Sequence, residues 1–225
     1  AMVYGVGKDG GMAEEILVEP RSIVPLPRSV DARVGFLVEP LAVAVHGVRR
    51  ARIFGGQRVL VVGGGSIGLA AVAAAVAAKA HVALVARHPA QIAAGRLLGA
   101  EIVESGAGGD YDVVLECADS ASAIATACEA IRPNGTLLML ASSWGSLELP
   151  GLVVAAKELD IVIATMYGRA GGQRDVDAAA QILGERGDAI AEALVSHRFP
   201  LAKAAEAFET ARDRKAGAIK VVLEP

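Results

Sequence analysis

Cysteine, aromatic residues and clustered charge are all scarce in this sequence of 225 residues. Its two cysteines, Cys117 and Cys128, belong to no C-x-x-C pair or His/Cys cluster, which excludes a disulfide framework and a cysteine-rich zinc site. The 22 Lys and Arg residues against 25 Asp and Glu give a net charge of −3 with no basic block. Nucleic acid and anionic membranes are therefore excluded as expected partners.

Long uncharged runs are also rare, and the one run that could span a bilayer covers residues 59–78. Glycines at positions 63–65 interrupt it and separate a β-branched half from an alanine-rich half. This pattern predicts a strand, a turn and a helix rather than a membrane span. No basic segment followed by a small-residue cleavage site opens the chain, so we expect a cytoplasmic protein.

From residue 57 onward, predicted strands alternate with predicted helices. The runs "RVLVVG", "HVALVA", "EIVE", "YDVVLEC" and "TLLMLAS" predict strands, and alanine-rich segments between most of them predict helices. This alternation predicts right-handed βαβ units and an α/β fold with a doubly wound parallel sheet. Residues 1–48 instead contain short Pro- and Val-rich extended runs, which suggest pieces of a β-rich module. A helix entered at Pro200 and a final strand are predicted at the C-terminal end.

The first predicted strand leads into a glycine motif, G-x-G-x-x-G, formed by Gly63, Gly65 and Gly68. The first glycine permits a tight turn, the second lets a pyrophosphate approach the backbone, and the third allows close packing of helix and strand. Ser66 and Ile67 begin the following helix, whose free N–H groups attract phosphate. The sequence therefore predicts a dinucleotide site, against the alternative of a simple glycine-rich turn.

The end of the second predicted strand bears on which dinucleotide is bound. NAD-binding folds place an acidic residue there for the ribose 2′-hydroxyl, but this chain has Ala86, followed by Arg87 and His88. A guanidinium can bind a 2′-phosphate through two charge-assisted hydrogen bonds, so we expect NADP to be favoured over NAD. The alternative is a solvated loop arginine. Cys117 ends another predicted strand, where it either lines the adenine side of the site or is a small core residue.

Glu39 is the single acid in the otherwise apolar stretch "GFLVEPLAVAVHGV". Burying a lone carboxylate is costly unless a metal, a cation or a set of donors pairs with it. None of the four histidines, His46, His81, His88 and His197, has the spacing of a metal-ligand set. The residues alone therefore leave the partner of Glu39 open.

The motifs "GGMAEEILVEPRSIVPLP", "LVEPLAVAVHGVRRA", "VLVVGGGSIGLAAVAAA", "KELDI" and "FPLAKAAEAFETARDRKAGAIKVVLEP" together resemble the zinc-type medium-chain dehydrogenases/reductases, especially the polyol, butanediol and threonine dehydrogenase branch. The resemblance implies a Rossmann domain (49–170), flanked by a remnant of a GroES-like catalytic domain (1–48) and C-terminal helices and a strand returning to it (171–225). It implies hydride transfer between a secondary alcohol, or the corresponding carbonyl compound, and a nicotinamide dinucleotide. It also implies that Glu39 lies beside a catalytic zinc as a ligand or as a partner of the zinc-bound water.

The family's catalytic cysteine, Gly-His-Glu motif and four-cysteine structural zinc lobe would all precede residue 1. We therefore expect this polypeptide to bind no catalytic zinc and to have little alcohol dehydrogenase activity alone. Two alternatives stay open. One is a zinc-independent reductase of enones or quinones, against which the V-E-P motif argues, and the other is a non-catalytic dinucleotide-binding protein.

Residues 136–150 resemble the sheet edge through which relatives form dimers. An exposed apolar edge strand needs covering, so we expect a homodimer through this segment, against the alternative of a solvated loop with Trp144 packed locally. The loop "YGRAGGQRD" carries Arg169 and Arg174, which could touch a cofactor phosphate, although a surface loop is the simpler interpretation.

Overall fold

A computed structural model describes residues 3–105, 109–142, 145–213 and 217–225. The chain divides into two compact units, one formed by Leu26–Leu194 and one formed by Ala1–Pro25 together with Val195–Pro225. The larger unit contains strands β1 to β8 and helices α1 to α6. Its strands are β1 Arg58–Val62, β2 His81–Val85, β3 Glu101–Ile102, β4 Tyr111–Glu116, β5 Ile131–Met139, β6 Asp160–Ile163, β7 Arg169–Ala170 and β8 Gln173–Arg174. Its helices are α1 Val38–Arg50, α2 Ser66–Ala77, α3 Pro89–Leu98, α4 Ala121–Ala130, α5 Gly151–Lys157 and α6 Asp175–Leu194.

The larger unit is built on a six-stranded sheet with the order β3-β2-β1-β4-β5-β6. All five neighbouring pairs are parallel. The order reverses at β1, the first strand, which is the signature of a doubly wound Rossmann fold. The predicted α/β fold class is confirmed.

Helices cover both faces of this sheet. On one face α4 packs on β1, β4 and β5, where buried side chains of the strands meet Ile124, Ala127 and Cys128. The Cys128 thiol is fully buried in this cluster. On the other face α2 packs on β1, β2 and β4, and α1 and α6 pack on α2. The carboxyl ends of β1, β2 and β4 consequently open onto one shared edge of the sheet.

The uncharged run at residues 59–78 folds as β1, the glycine turn and α2, as predicted. Helix α2 is apolar all round and its middle is buried between the sheet and other helices, as expected for such a composition. Within the described residues, no helix is both long and apolar enough to cross a membrane.

Two sequence-based expectations for this unit were wrong. Residues 38–50 form helix α1, although extended structure was expected before residue 48. Pro40 is compatible with this helix because it lies near the N-terminal end, where an amide hydrogen is not required.

The strand beginning near Thr136 was expected at the sheet edge. It forms part of β5, which pairs with β4 on one side and β6 on the other, so β6 is the edge strand on this side of the sheet.

The smaller unit contains a parallel pair of strands, β9 Val195–Pro200 and β10 Lys220–Glu224, and helix α7 Ala204–Arg212, which contacts both strands. The predicted C-terminal helix and final strand are therefore present. Among residues 3–25 the structure contains an isolated bridge between Tyr4 and Lys8, and residues 15–19 have no assigned strand.

Candidate functional site: the glycine turn and the loops around it

The glycine turn connects the end of β1 at Val62 to the start of α2 at Ser66. Gly63 has a φ of +113°, a left-handed conformation that favours glycine. A Cβ atom on Gly68 would overlap the carbonyl oxygen of Gly63, so this position requires a residue without a side chain. The structure therefore gives Gly63 and Gly68 the roles that the motif predicts, a tight turn and a close helix–strand approach.

Gly65 differs from the other two glycines because its surroundings are open. It is the N-cap of α2, and an ideal Cβ built on it would meet no heavy atom of the described residues within 4 Å. Gly65 has no side chain to cap this helix, and among the described residues no side-chain acceptor is recorded for the amide groups of its first turn, which includes Ser66 and Ile67. Free amides and the positive end of a helix dipole fit a phosphate group. The turn thus has room and donors for a pyrophosphate.

Two loops lie directly against the glycine turn. The loop after β2 and the first turn of α3 lie against Gly64, since a Cβ there would come within 2.8 Å of the side chains of Ala86 and Gln91. The loop after β4 supports Gly63, where a Cβ would lie 3.0 Å from the Cβ of Ala118. The turn is therefore held between two walls, and any ligand on it must contact the residues that follow β2 and β4.

Arg87 and His88 lie in the first of these loops. The Arg87 side chain is exposed, and its Nη2 donates a hydrogen bond of 3.2 Å to the Ser122 hydroxyl at the start of α4. His88 is half-buried and is the N-cap of α3, although its side chain makes no capping hydrogen bond. Ala86 leaves this end of β2 without a carboxylate. Arg87 thus follows Ala86, the residue that lies against Gly64, and its guanidinium reaches the start of α4.

Cys117 lies in the second loop and is half-buried against the turn. Its amide donates to the Val62 carbonyl at 2.9 Å, and its Cβ would lie 3.4 Å from a Cβ on Gly68. Burial, and after it the neighbouring Glu116 carboxyl, raises the pKa of the Cys117 thiol. A thiol that resists ionisation is a poor nucleophile, so Cys117 is a packing residue of the wall.

Glu39 is exposed in the first turn of α1, and the structure gives it no ion pair among the described residues. Partial burial, and after it the Glu39 carboxylate, raises the pKa of Tyr167, so these two side chains are electrostatic neighbours. Across the described residues, no group of three or more His, Cys, Asp or Glu side chains is arranged to hold a metal ion. The residues described do not fit a catalytic zinc, which needs three protein ligands.

Sequence reasoning missed a buried cluster around Asp175, the first residue of α6. The Asp175 side chain is 1% exposed, and its oxygens lie 2.9 Å from Nδ1 of His46 and 2.5 Å from Nη1 of Arg49. Its Oδ2 also accepts the Gly168 amide at 2.7 Å, and its own amide donates to the Gly168 carbonyl. The cluster joins α1 to the base of the hairpin formed by β7 and β8.

The signal that could have located α1 was present, because Val38, Leu41, Ala42, Val45 and Val48 follow a helical period and are all buried. No local signal marks Asp175, whose partners lie 126 and 129 residues away in sequence.

In the hairpin formed by β7 and β8, Arg174 makes two hydrogen bonds to Asp177, and Arg169 is exposed. Arg174 therefore has a structural partner in place of the phosphate considered from sequence.

Comparison with known proteins places this site in a family. A profile described as "Glucose dehydrogenase C-terminus" matches residues 32–224. Sorbitol dehydrogenase of Rattus norvegicus is 31% identical over 215 residues, covering 88% of this chain and 58% of that protein. The chain belongs to the zinc-type medium-chain dehydrogenase/reductase family. Its curated dehydrogenase relatives are oxidoreductases of the alcohol dehydrogenase type.

Solved dehydrogenases of this family have the same fold. L-idonate 5-dehydrogenase from Escherichia coli superposes with a TM-score of 0.84 at 26% identity, over 100% of this chain and 66% of that one. A zinc-binding dehydrogenase from Sinorhizobium meliloti, solved with NADP bound, has a TM-score of 0.84 at 28% identity, over 99% of this chain and 68% of that one. The chain spans roughly three-fifths of the length of the curated relatives it matches.

Proposed function

We propose that this chain is the dinucleotide-binding part of a zinc-type dehydrogenase that transfers hydride between a secondary alcohol and a nicotinamide cofactor, with NADP(H) favoured. The observation that carries this proposal is the open face of the glycine turn at Gly65 with Arg87 on the adjoining loop. The predicted site residues Gly63, Gly65, Ser66, Ile67, Gly68, Arg87, His88 and Cys117 all belong to the turn or its two walls.

The preference for NADP(H) follows from charge. The loop after β2 offers no carboxylate at Ala86 to repel a 2′-phosphate, and the Arg87 guanidinium donates a hydrogen bond of 3.2 Å to an uncharged acceptor, the Ser122 hydroxyl. Exchanging that bond for a charge-assisted pair with phosphate is favourable. A relative solved with NADP supports a nicotinamide cofactor of this kind.

Fluorescence titration of NADPH and NADH against the parent and Arg87→Ala tests the proposal. We expect the parent to prefer NADPH and Arg87→Ala to lose about ten-fold or more in NADPH affinity, as for a lost hydrogen bond to a charged group, with NADH unaffected. Arg96→Ala, which removes another exposed arginine from α3, is the matched control. Equal affinities of the parent for the two nucleotides would contradict the preference.

We further propose that Glu39 contributes to a zinc site only together with ligands outside the described residues, and that this chain alone binds no catalytic zinc. The exposed position of Glu39 and the lack of a three-ligand cluster among the described residues support this. Elemental analysis of the tag-free protein tests it, and stoichiometric zinc would refute it. The division of the chain into domains at residues 1–48, 49–170 and 171–225 is likewise a proposal.

A homodimer through residues 136–150 is also proposed, in a protein that acts in the cytoplasm on an alcohol or carbonyl substrate. Because β5 is interior, the exposed residues of this segment, among those described, lie after that strand, and Leu147 is 38% exposed. Trp144 lies outside the described residues. Light scattering should give a dimer that Leu147→Glu weakens, and a monomeric parent would contradict the proposal.

A second candidate, a dinucleotide-binding protein without turnover, is favoured by the same lack of a metal-ligand cluster among the residues described. Assays with a panel of alcohols and enones separate the possibilities. Nucleotide binding without turnover selects the non-catalytic protein, and zinc-free enone reduction selects the zinc-independent reductase branch.

A further inference from the structure

Glu116, the last residue of β4, is a buried carboxyl with no assigned role. It lies in the middle of the sheet, paired with Val62 of β1 and Met139 of β5, and its side chain is fully buried. No Lys, Arg or His of the described residues forms an ion pair with it. A buried acid without a cation is costly, so its position calls for an explanation.

Its contacts are with the backbone of the loop that follows. Oε1 accepts the amides of Ala118 and Asp119, each at 2.8 Å, and Oε2 is buried without a hydrogen-bond partner among the described residues. Burial raises the pKa of Glu116, and the two amides oppose this effect only in part. The carboxyl therefore acts as an acceptor for two amides that have no other hydrogen-bond partner among the described residues.

The loop held in this way is one wall of the glycine turn. Ala118 is the residue that a Cβ on Gly63 would contact at 3.0 Å. Asp119 has a φ of +49°, a left-handed conformation that is unfavourable for an L-residue and persists only when its surroundings hold it. The Glu116 carboxyl supplies that hold, because it accepts hydrogen bonds from the N–H groups of the two peptide units that flank Ala118.

We propose that Glu116 is a positioning residue of the dinucleotide site. It fixes residues 117–119 against Gly63, so the affinity for the nucleotide depends on a carboxyl that does not touch it. The effect on nucleotide affinity rests on the proposed function. The ordering of residues 117–119 by Glu116 does not, because it can be measured in the protein without nucleotide.

The test compares Glu116→Gln and Glu116→Leu with the solvent-facing control Glu129→Leu on α4. Glutamine keeps an oxygen for the two amides, so NADPH affinity should stay within about three-fold of the parent, whereas leucine removes both hydrogen bonds and should weaken binding by about ten-fold or more. In the nucleotide-free protein, the amides of Ala118 and Asp119 should exchange faster with solvent in the leucine variant only. If that variant does not fold, Glu116→Ala removes the same acceptor without filling the site.

The outcomes separate the two proposals. Unchanged amide protection in the folded leucine or alanine variant overturns the positioning role, as does equal loss of affinity in the glutamine and leucine variants. A parent that binds neither NADPH nor NADH overturns the proposed function, while the exchange measurement still decides whether Glu116 orders the loop.

Discussion

Replacing Asp175 by asparagine should destabilise the protein far more than replacing Asp177, although both are acids in the first turn of α6 with an arginine partner. Asp175 is 1% exposed and contacts His46, Arg49 and the Gly168 amide. Asp177 is on the surface and pairs with Arg174. Both acids face the same helix dipole, so its contribution largely cancels in the comparison.

The expected size of the loss follows from the contacts. Breaking a buried ion pair costs about 3–5 kcal/mol because a charge is left without its partner. Arg49 is 27% exposed, so water can solvate part of its guanidinium, which puts the loss for Asp175→Asn near the lower end, about 3 kcal/mol. With a urea m-value of about 3 kcal/mol per M, suited to a chain of this size, the unfolding midpoint should fall by about 1 M.

Urea unfolding followed by circular dichroism measures this difference directly. Asp177→Asn should move the midpoint only slightly, because exposed ion pairs contribute little to stability. If the two variants shift the midpoint equally, the Asp175 cluster does not stabilise the fold in the way its burial implies. Faster exchange of the Gly168 amide in Asp175→Asn would show that the hairpin base has loosened.

Three further predictions concern other elements of the larger unit. Lys157 donates to three carbonyls at the C-terminal end of α4, so Lys157→Met should cost about 2 kcal/mol in thermal unfolding, unlike Lys79→Met at an exposed site. Gly65→Ala should leave the free energy of unfolding nearly unchanged but lower the affinity for NADPH. Gly68→Ala should lower both the free energy of unfolding and the affinity for NADPH, as unfolding and fluorescence titration would show. Because burial raises the pKa of Glu116, the folded protein keeps a proton that the unfolded chain releases above about pH 4.5. The parent should therefore lose stability as the pH rises from about 4.5 to the pKa of Glu116 in the folded protein. Glu116→Gln should abolish that loss in unfolding measured from pH 4 to 8.

The parallel sheet and the glycine turn could be predicted because their signals are local. A β-branched run, a glycine motif and an alanine-rich run follow one another within residues 58–77, and they favour a strand, a turn and a helix in that order. Helix α1 had an equally local signal, but Pro40 and the neighbouring extended runs concealed it. The order of strands is not local, which is why β5 was expected at the edge that β6 occupies.

The predicted residues of the site are those whose chemistry is visible in their own segment, as for Arg87 after β2. Asp175 and Glu116 carry no such mark, since an acid that starts a helix or ends a strand is usually solvated. Their importance depends on which distant segment packs over them, and on donors that include backbone amides, which every non-proline residue possesses. Patterns of residue types cannot report such donors.

Among the described residues, Asp175 and Glu116 are the two buried acidic side chains, and their partners differ. Asp175 has two basic side chains and a backbone amide as hydrogen-bonding partners. Glu116 has two amides but no cation, and its pKa is raised. Burying a well-packed apolar residue in either place would cost less free energy, because it needs no hydrogen-bonding or charged partner. Each acid instead binds backbone amides of a loop, at Gly168 and at Ala118. Each buried acid therefore fixes the backbone of a loop. In the case of Glu116, that loop forms a wall of the candidate nucleotide site.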